Sequence, residues 1–418
     1  MGEMHPIVAE APQTSSDLLS RRTIAFVNLA HALDHFVLLI YPTAVIAIAA
    51  GQRLSYADLI GLSTGAFVAF GLFSLPMGWL ADRFGRRNLL CLFFGGCGLA
   101  CLGLAGANSP TAFGLWLLVL GIFSAIYHPV GSTMLVSHTR HLGRDLGING
   151  VWGNLGAALA PGTTALLAAS LGWRAAFILP GIVCITGAAV FMWLVPGEKG
   201  GHREREKNAQ AVLPAARPVA LMVLFAIAVV AGGMTFNITT IALPKIIDER
   251  AGTGLPLILT GSLATVVFSF GALTQLLVGR LVDRFPLSTI FVGLSVLQPV
   301  GLGLAAATTG TPMLAGLAFT MAAIYGQVVV NDAMVARRVP AQYRARAFSV
   351  RYFLGFTTSG AAVPIIAILH GTGGFGAVLG VASLFGAVIF LCSIGFLISD
   401  RLAPASARSF ADGRQTER

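Results

Sequence analysis

Charge is what this chain has least of. Asp, Glu, Lys and Arg make up 11% of its 418 residues, where a soluble domain carries roughly 25%. None of the 27 Lys and Arg lies deep inside the long apolar stretches that fill the sequence. Cysteine is also scarce. Cys91, Cys97, Cys101, Cys184 and Cys392 all fall within apolar stretches and form no CxxC pair, which argues against a disulfide framework or a cysteine metal cluster. The glycine-rich runs lack both the Lys-Ser or Lys-Thr ending and the strand setting of a phosphate cradle, so ATP-driven work is unsupported. No HExxH or GxSxG and no soluble domain is found, and neither a catalytic residue nor a cofactor is expected. Residues 1–20 hold Glu3, Glu10, Asp17 and two prolines with no apolar core, and read as a polar tail rather than a cleaved signal.

Apolar residues supply 56% of the chain. Hydropathy divides it into spans of about 20 residues, the length that crosses a ~30 Å hydrocarbon core. They run 22–49, 57–80, 88–107, 111–137, 146–170, 173–195, 218–246, 256–280, 287–308, 312–336, 346–369 and 373–399. The expected class is an all-α membrane protein of twelve transmembrane helices. A six-helix bundle over 21–196 and another over 218–400 are joined by a polar linker at 197–217 and followed by a tail at 401–418. Fifty glycines suit helices that approach closely in lipid. Only Arg53, Arg174, Lys245 and Arg250 fall in the gaps on one side, and the other 23 Lys and Arg fall on the other. That bias predicts cytoplasmic termini. It also assigns the net charge of +10 to topology and anionic headgroups rather than to nucleic acid.

The two halves read as copies. GWLADRF at 78–84 recurs as GRLVDRF at 279–285, and AIY at 125–127 recurs at 323–325. Pro161 answers to Pro364, and Asp34 with Pro42 answers to Asn237 with Pro244. Parallel six-helix repeats are a recurrent transporter plan, with substrate bound near the midplane between the halves.

The stretch Gly78-Trp79-Leu80-Ala81-Asp82-Arg83-Phe84-Gly85-Arg86-Arg87 lies between the second and third spans. It resembles the signature of the major facilitator superfamily at the loop where that family carries it. Physically, Gly78 allows close helix approach, Asp82 ends a helix as an acceptor, and Gly85 makes a tight turn. The arginines stay among headgroups. The resemblance implies a cytoplasmic gate at Gly78, Asp82, Arg83, Gly85, Arg86 and Arg87. A weaker second copy holds Asp283 and Arg284, with Pro286 where the first has Gly85. AIYHPVGSTMLV and GNLGAALAP are similar to the fosmidomycin-resistance type of bacterial exporter. Gly156 to Gly162 resembles the family's antiporter motif, but Ala160 stands in place of its second glycine.

Ionisable residues inside a membrane are costly, which makes each a functional candidate. His31, Asp34 and His35 share one helix face by their spacing. Asp34 lies roughly 17 Å into its span, near the bilayer centre. They read either as proton- or substrate-coupling groups or as a static network. The family's first and fourth helices line its cavity, so the resemblance implies that His128, beside Tyr127 and Pro129, faces Asp34, with a histidine that caps a backbone carbonyl as the competing reading. Asn237 at the repeat position of Asp34, and Gln327 two residues past Tyr325, suggest that the second half holds substrate. Tyr41, Tyr127, Trp152, Asn154, Tyr325 and Tyr352 are candidates for the cavity wall, with packing as the competing reading. Asp332 precedes a run of Arg337, Arg338, Arg344, Arg346 and Arg351, and reads as a gate or structural ion pair or as a direct coupling site.

The expectation is a monomeric secondary transporter, not an enzyme, in a bacterial inner membrane, exchanging a small organic solute for protons. Import by symport or uniport is the alternative, and a membrane-embedded sensor or enzyme a remote one. No Lys or Arg is read within the spans, which argues against a highly anionic cargo, whereas the narrower resemblance implies a phosphonate. The charge inventory decides the expected substrate class.

Overall fold

Apolar runs this long leave the backbone no polar partner but itself, so each must close its own hydrogen bonds as a helix. The computed structural model describes residues 15–51, 55–139, 142–197, 218–282, 284–339 and 341–402. Among the described residues no strand forms. Asp283 and nearly all of the expected tails and linker lie outside them, as do the side chains of Asp82 and Arg344.

The helices are α1 (Ser15–Gly51), α2 (Tyr56–Gly61), α3 (Thr64–Phe84), α4 (Arg86–Gly106), α5 (Pro110–Ser124), α6 (Tyr127–His138) and α7 (Leu142–Leu171). There follow α8 (Ala175–Leu194), α9 (Pro218–Arg250), α10 (Leu257–Val282), α11 (Leu287–Ala307), α12 (Gly310–Arg338) and α13 (Ala341–Leu402). Eleven stretches are long and apolar enough to cross a membrane, one of them the 53 residues from Val350 to Leu402. Gly374 breaks that last stretch at φ 62°, a left-handed conformation glycine adopts freely, so α13 folds into two limbs. Twelve crossings result, which puts Ser15 and Leu402 on the same face of a multi-pass membrane protein.

Two spans are interrupted where hydropathy shows one run. Between α5 and α6, Pro129 has no N–H to bond the Ala125 carbonyl four residues earlier, and the helix breaks at Ala125–Ile126. Between α2 and α3 the hydroxyls of Ser63 and Thr64 donate to the Ile60 and Gly61 carbonyls, each at 2.7 Å. They satisfy acceptors that the break releases.

Glycine sets the helix spacing. A β-carbon on Gly156 of α7 would strike the Ala32 backbone of α1, and one on Gly121 of α5 would strike the Ala66 backbone of α3. The pattern repeats in the second half, where Gly233 of α9 packs on Gly355 and Thr358 of α13. Gly98 of α4 meets α8 just as Gly386 of α13 meets Pro299 of α11. Large apolar side chains such as Trp193, Val219, Leu273 and Leu384 point outward, where lipid rather than protein covers them.

The halves join α7 to α10 and α3 to α13 with small residues and backbone. A β-carbon on Gly71 would come within 2.9 Å of the Thr357 backbone, and one on Gly261 within 2.6 Å of the Pro161 carbonyl. Ser359 Oγ donates to the Phe67 carbonyl at 3.2 Å, and the Gly162 N–H donates to Thr265 Oγ1 at 3.1 Å. On the face opposite the termini, the Tyr56 ring meets His370 at 5.2 Å, with the Lys245 ammonium 5.7 Å from its centre. Lys245 reaches Asp248 at 2.6 Å and Glu249 at 3.5 Å, and His370 Nε2 lies 3.0 Å from Glu249. Among the described residues, no comparable interface joins α6 to α12.

Candidate functional site

The 3.6-residue repeat of α1 brings His31, Asp34 and His35 onto one face, and the restart of the helix at Tyr127 turns His128 towards them. The His31 ring lies 5.1 Å from that of His35 and 5.4 Å from that of His128; His35 and His128 are 5.6 Å apart. One ring nitrogen of each lies within 4.8 Å of the others. The Asp34 side chain is completely buried, its Oδ2 3.4 Å from His128 Nε2 without hydrogen-bonding geometry. Neither Asp34 oxygen has a hydrogen-bond partner. The Ser124 hydroxyl lies close to the carboxyl and 3.6 Å from Cys97 Sγ.

His31 is held most firmly. Its Nδ1 faces the Asn149 carbonyl at 2.7 Å, and a carbonyl can only accept, so Nδ1 carries the proton. Tyr127 stacks on the ring at 4.8 Å, and a β-carbon on Gly153 would come within 2.5 Å of its Nε2. Glycine is therefore what lets α7 lie against the imidazole. The Asn149 side chain in turn bonds Asn28 Oδ1 at 2.9 Å and the Tyr127 hydroxyl at 3.0 Å. His35 makes ring contacts and, among the described residues, no hydrogen bond.

Across the interface, α13 lays Phe356 and Tyr352 against His128 at 4.6 and 5.9 Å, with Phe70 at 6.0 Å. The cluster therefore touches both halves. Arg351 is buried one residue before Tyr352, its guanidinium 5.0 Å from that ring's centre, and is ion-paired with Asp332 of α12. Arg351 thus stands apart from the run of arginines it was read with, because α13 begins at Ala341 and carries it inside a helix against α12. Arg351→Leu is expected to lower stability by about 2 kcal/mol in detergent melts. That is less than the roughly 3–5 kcal/mol of a fully buried pair, because Asp332 is 38% exposed. Asp332→Asn in the same chain should recover most of the loss.

The other candidates scatter. Tyr41 is buried and donates to the Leu59 carbonyl at 2.7 Å, tying α1 to α2 instead of lining a cavity. Tyr127 is fully buried behind His31. Tyr325 is buried against Phe236 and Gly271. Trp152 is 38% exposed. Asn154 bonds Gln275 of α10 across the two halves. Asn237 donates to the Gly233 carbonyl at 2.8 Å and to Thr358 Oγ1 at 3.2 Å. Gln327 accepts from Gln298, whose Oε1 takes a hydrogen bond from Thr235 at 3.0 Å, and its own Nε2 has no partner. Asn237 and Gln327 thus belong to separate networks.

In the signature loop Gly85 has φ 87°, as a tight turn between α3 and α4 requires. Arg87 donates to the Val195 and Met192 carbonyls at 2.9 and 2.6 Å, capping α8 within its own half. Arg83 and Arg284 are exposed and Arg86 is half-buried. A β-carbon on Gly78 would meet nothing within 4 Å, so no helix makes the close approach expected of it. Asp82 and Arg344 cannot be placed in this gate, since their side chains lie outside the described set, and so does all of Asp283.

Asn28, Ser124, Asn149, Thr235, Gln298 and Thr358 are buried polar residues near these sites that sequence reading passes over. Asn28 is three residues before His31, a helical spacing that was available as a signal.

The family model described as Major Facilitator Superfamily matches residues 24–328. The gallate transporter of Pseudomonas putida is 25% identical over 197 residues, which cover 45% of this chain and 44% of that protein. The inner membrane transport protein YajR of Escherichia coli is 26% identical over 325 residues, covering 72% and 68%. The match to the first of these relatives spans less than half of its length. The fold matches the crystal structure of a bacterial homolog of the human lysosomal transporter Spinster, solved in an inward-facing and occupied conformation. The TM-score is 0.74 at 14% identity, covering 92% of this chain and 97% of that one.

Proposed function

This chain belongs to the major facilitator superfamily, and on that premise we propose that it is a secondary transporter of the bacterial inner membrane. It carries a small organic solute by alternating access and exports it in exchange for protons, with both termini in the cytoplasm. The family is one of transporters, not enzymes. The observation that carries the coupling is the buried, unpartnered Asp34 carboxyl among His31, His35 and His128, at a point where α13 of the other half closes over the cluster. A group that gains or loses a proton there alters contacts between the halves directly, as a coupled carrier requires. Of the neutral candidates for holding the solute, Asn154 reaches Gln275 across the halves, whereas Asn237 and Gln327 are buried in separate networks. The one buried guanidinium near the cluster, Arg351, is engaged by Asp332. That balance suits a solute of low net charge, and a singly charged organic acid such as gallate is the first compound to try.

Everted vesicles energised to an acid lumen provide the test. Adding the transported solute is expected to alkalinise the lumen, and vesicles lacking the protein should not respond. Further acidification would establish symport, and solute movement without proton movement would establish uniport. Either result overturns the exchange reading.

A further inference from the structure

Three imidazoles and a carboxylate have come together in the first half with little internal use for their lone pairs. Among the described residues, His31 Nδ1 is the one ring nitrogen of the six that makes a hydrogen bond. His128 Nε2 and both Asp34 oxygens are buried without one. Buried polar atoms left in this state point to a missing partner. A divalent metal ion accepts lone pairs from several imidazoles at once and is balanced by a carboxylate beside it.

We propose that His31, His35 and His128 bind one divalent transition-metal ion, with Asp34 supplying the balancing negative charge. Imidazole is the ligand type suited to Zn²⁺, Ni²⁺, Cu²⁺ and Co²⁺ rather than to Mg²⁺ or Ca²⁺. One nitrogen from each ring already lies within 4.8 Å of the others. A tetrahedral site with bonds of ~2.0 Å needs ligand atoms ~3.3 Å apart, so side-chain rotations of about 1.5 Å complete it. The support expected around a ligating histidine is present. His31 donates Nδ1–H to the Asn149 carbonyl at 2.7 Å, which fixes its tautomer and leaves the Nε2 lone pair free. Asp34 Oδ2 stands 3.4 Å from His128 Nε2, close enough to balance the charge of an ion held by the rings. All three histidines are half-buried. Arg351 is the cation near His128, and Asp332 neutralises it. The proposal rests on the functional reading only in taking this cluster as a working site.

The full chain, purified in detergent without a polyhistidine tag and stripped by chelator, is to be titrated with Co²⁺. Visible ligand-field bands saturating at one ion per chain and bleached by Zn²⁺ are expected. His35→Gln and His128→Gln should each weaken binding at least about tenfold, and Asp34→Asn by roughly 10–100-fold. His370→Gln, on the opposite-face cluster, should leave it unaltered. Should a variant aggregate, X-ray absorption on the wild-type Co²⁺ complex decides: imidazole nitrogens at ~2.0–2.1 Å support the site, and an oxygen-only shell overturns it. Absence of bands, or bands that persist in the His35→Gln, His128→Gln double variant, also overturns it. If Co²⁺ fails to bind while solute still drives protons, the metal site falls alone. If Co²⁺ binds and no solute moves, the transporter reading falls alone.

Discussion

Asp34→Asn is expected to abolish solute-driven proton movement in everted vesicles while leaving the protein at least as stable as the wild type. The two effects have one cause. Asp34 is fully buried with neither oxygen hydrogen-bonded, so the native chain bears an uncompensated desolvation cost at that point. Asparagine keeps the volume, cannot take up or release a proton, and brings an N–H₂ that can donate to His128 Nε2, now 3.4 Å from the carboxyl. One added buried hydrogen bond is worth about 1 kcal/mol, a rise of about 1 °C in a detergent melt for a chain of this length. Transport with an unaltered pH response would remove Asp34 from the coupling path. A fall in melting temperature would show that the carboxyl has a stabilising partner in the native protein.

The second large effect is structural. Gly156→Leu and Gly121→Val should each prevent accumulation of folded protein, read as loss of the monodisperse peak on size exclusion. The atoms in the way are the backbones of Ala32 and Ala66, which cannot rotate aside as a side chain can. Overpacking ordinarily costs about 1–3 kcal/mol, and a clash with a neighbouring helix backbone belongs at or beyond the top of that range. Gly156 is one turn from Gly153, so pushing α7 off α1 also pulls Asn149 from His31. Gly95→Ala and Gly114→Ala are the controls. A β-carbon at either meets nothing within 4 Å, and Ala is the better helix former by up to about 1 kcal/mol. Both should accumulate normally.

Much of this fold was legible because the bilayer dictates it. Twelve spans could be counted since each must be long enough to cross, and even the turn at Gly374 fell close to the gap expected between the last two. The interruptions at Leu62–Ser63 and Ala125–Ile126 were not legible, because window-averaged hydropathy does not register hydrogen-bond breaks inside an apolar run. The placing of His31, Asp34 and His35 on one face followed from their spacing alone. His128 needed more, since nothing in its neighbourhood says which other helix it faces. Asn28, Asn149, Thr235 and Gln298 escaped notice for a related reason. A single amide or hydroxyl barely lowers the hydropathy of its stretch, and its worth depends on partners many residues away, such as Asn149 for Asn28. Arg351 was read only as one of a run of arginines, because its buried pairing with Asp332 depends on a contact between α12 and α13. Gly78 shows the opposite limit: its motif was plain, yet the contact it implies is not made here.

The seam where α3 meets α13 and α7 meets α10 is built largely from glycines and main chain, with few packed side chains beyond Phe70 on Phe356 and Asn154 on Gln275, and this bears on motion. Interlocked side chains must be pulled apart before two surfaces can move, whereas surfaces with little interdigitated can roll like a bearing. What resists that rolling is then concentrated in a few polar fastenings, chiefly the one formed by Tyr56, Lys245, Glu249 and His370. Rocking of the halves, as the proposed transport cycle requires, would then be limited by how readily those fastenings let go, with the seam itself as a low-friction track.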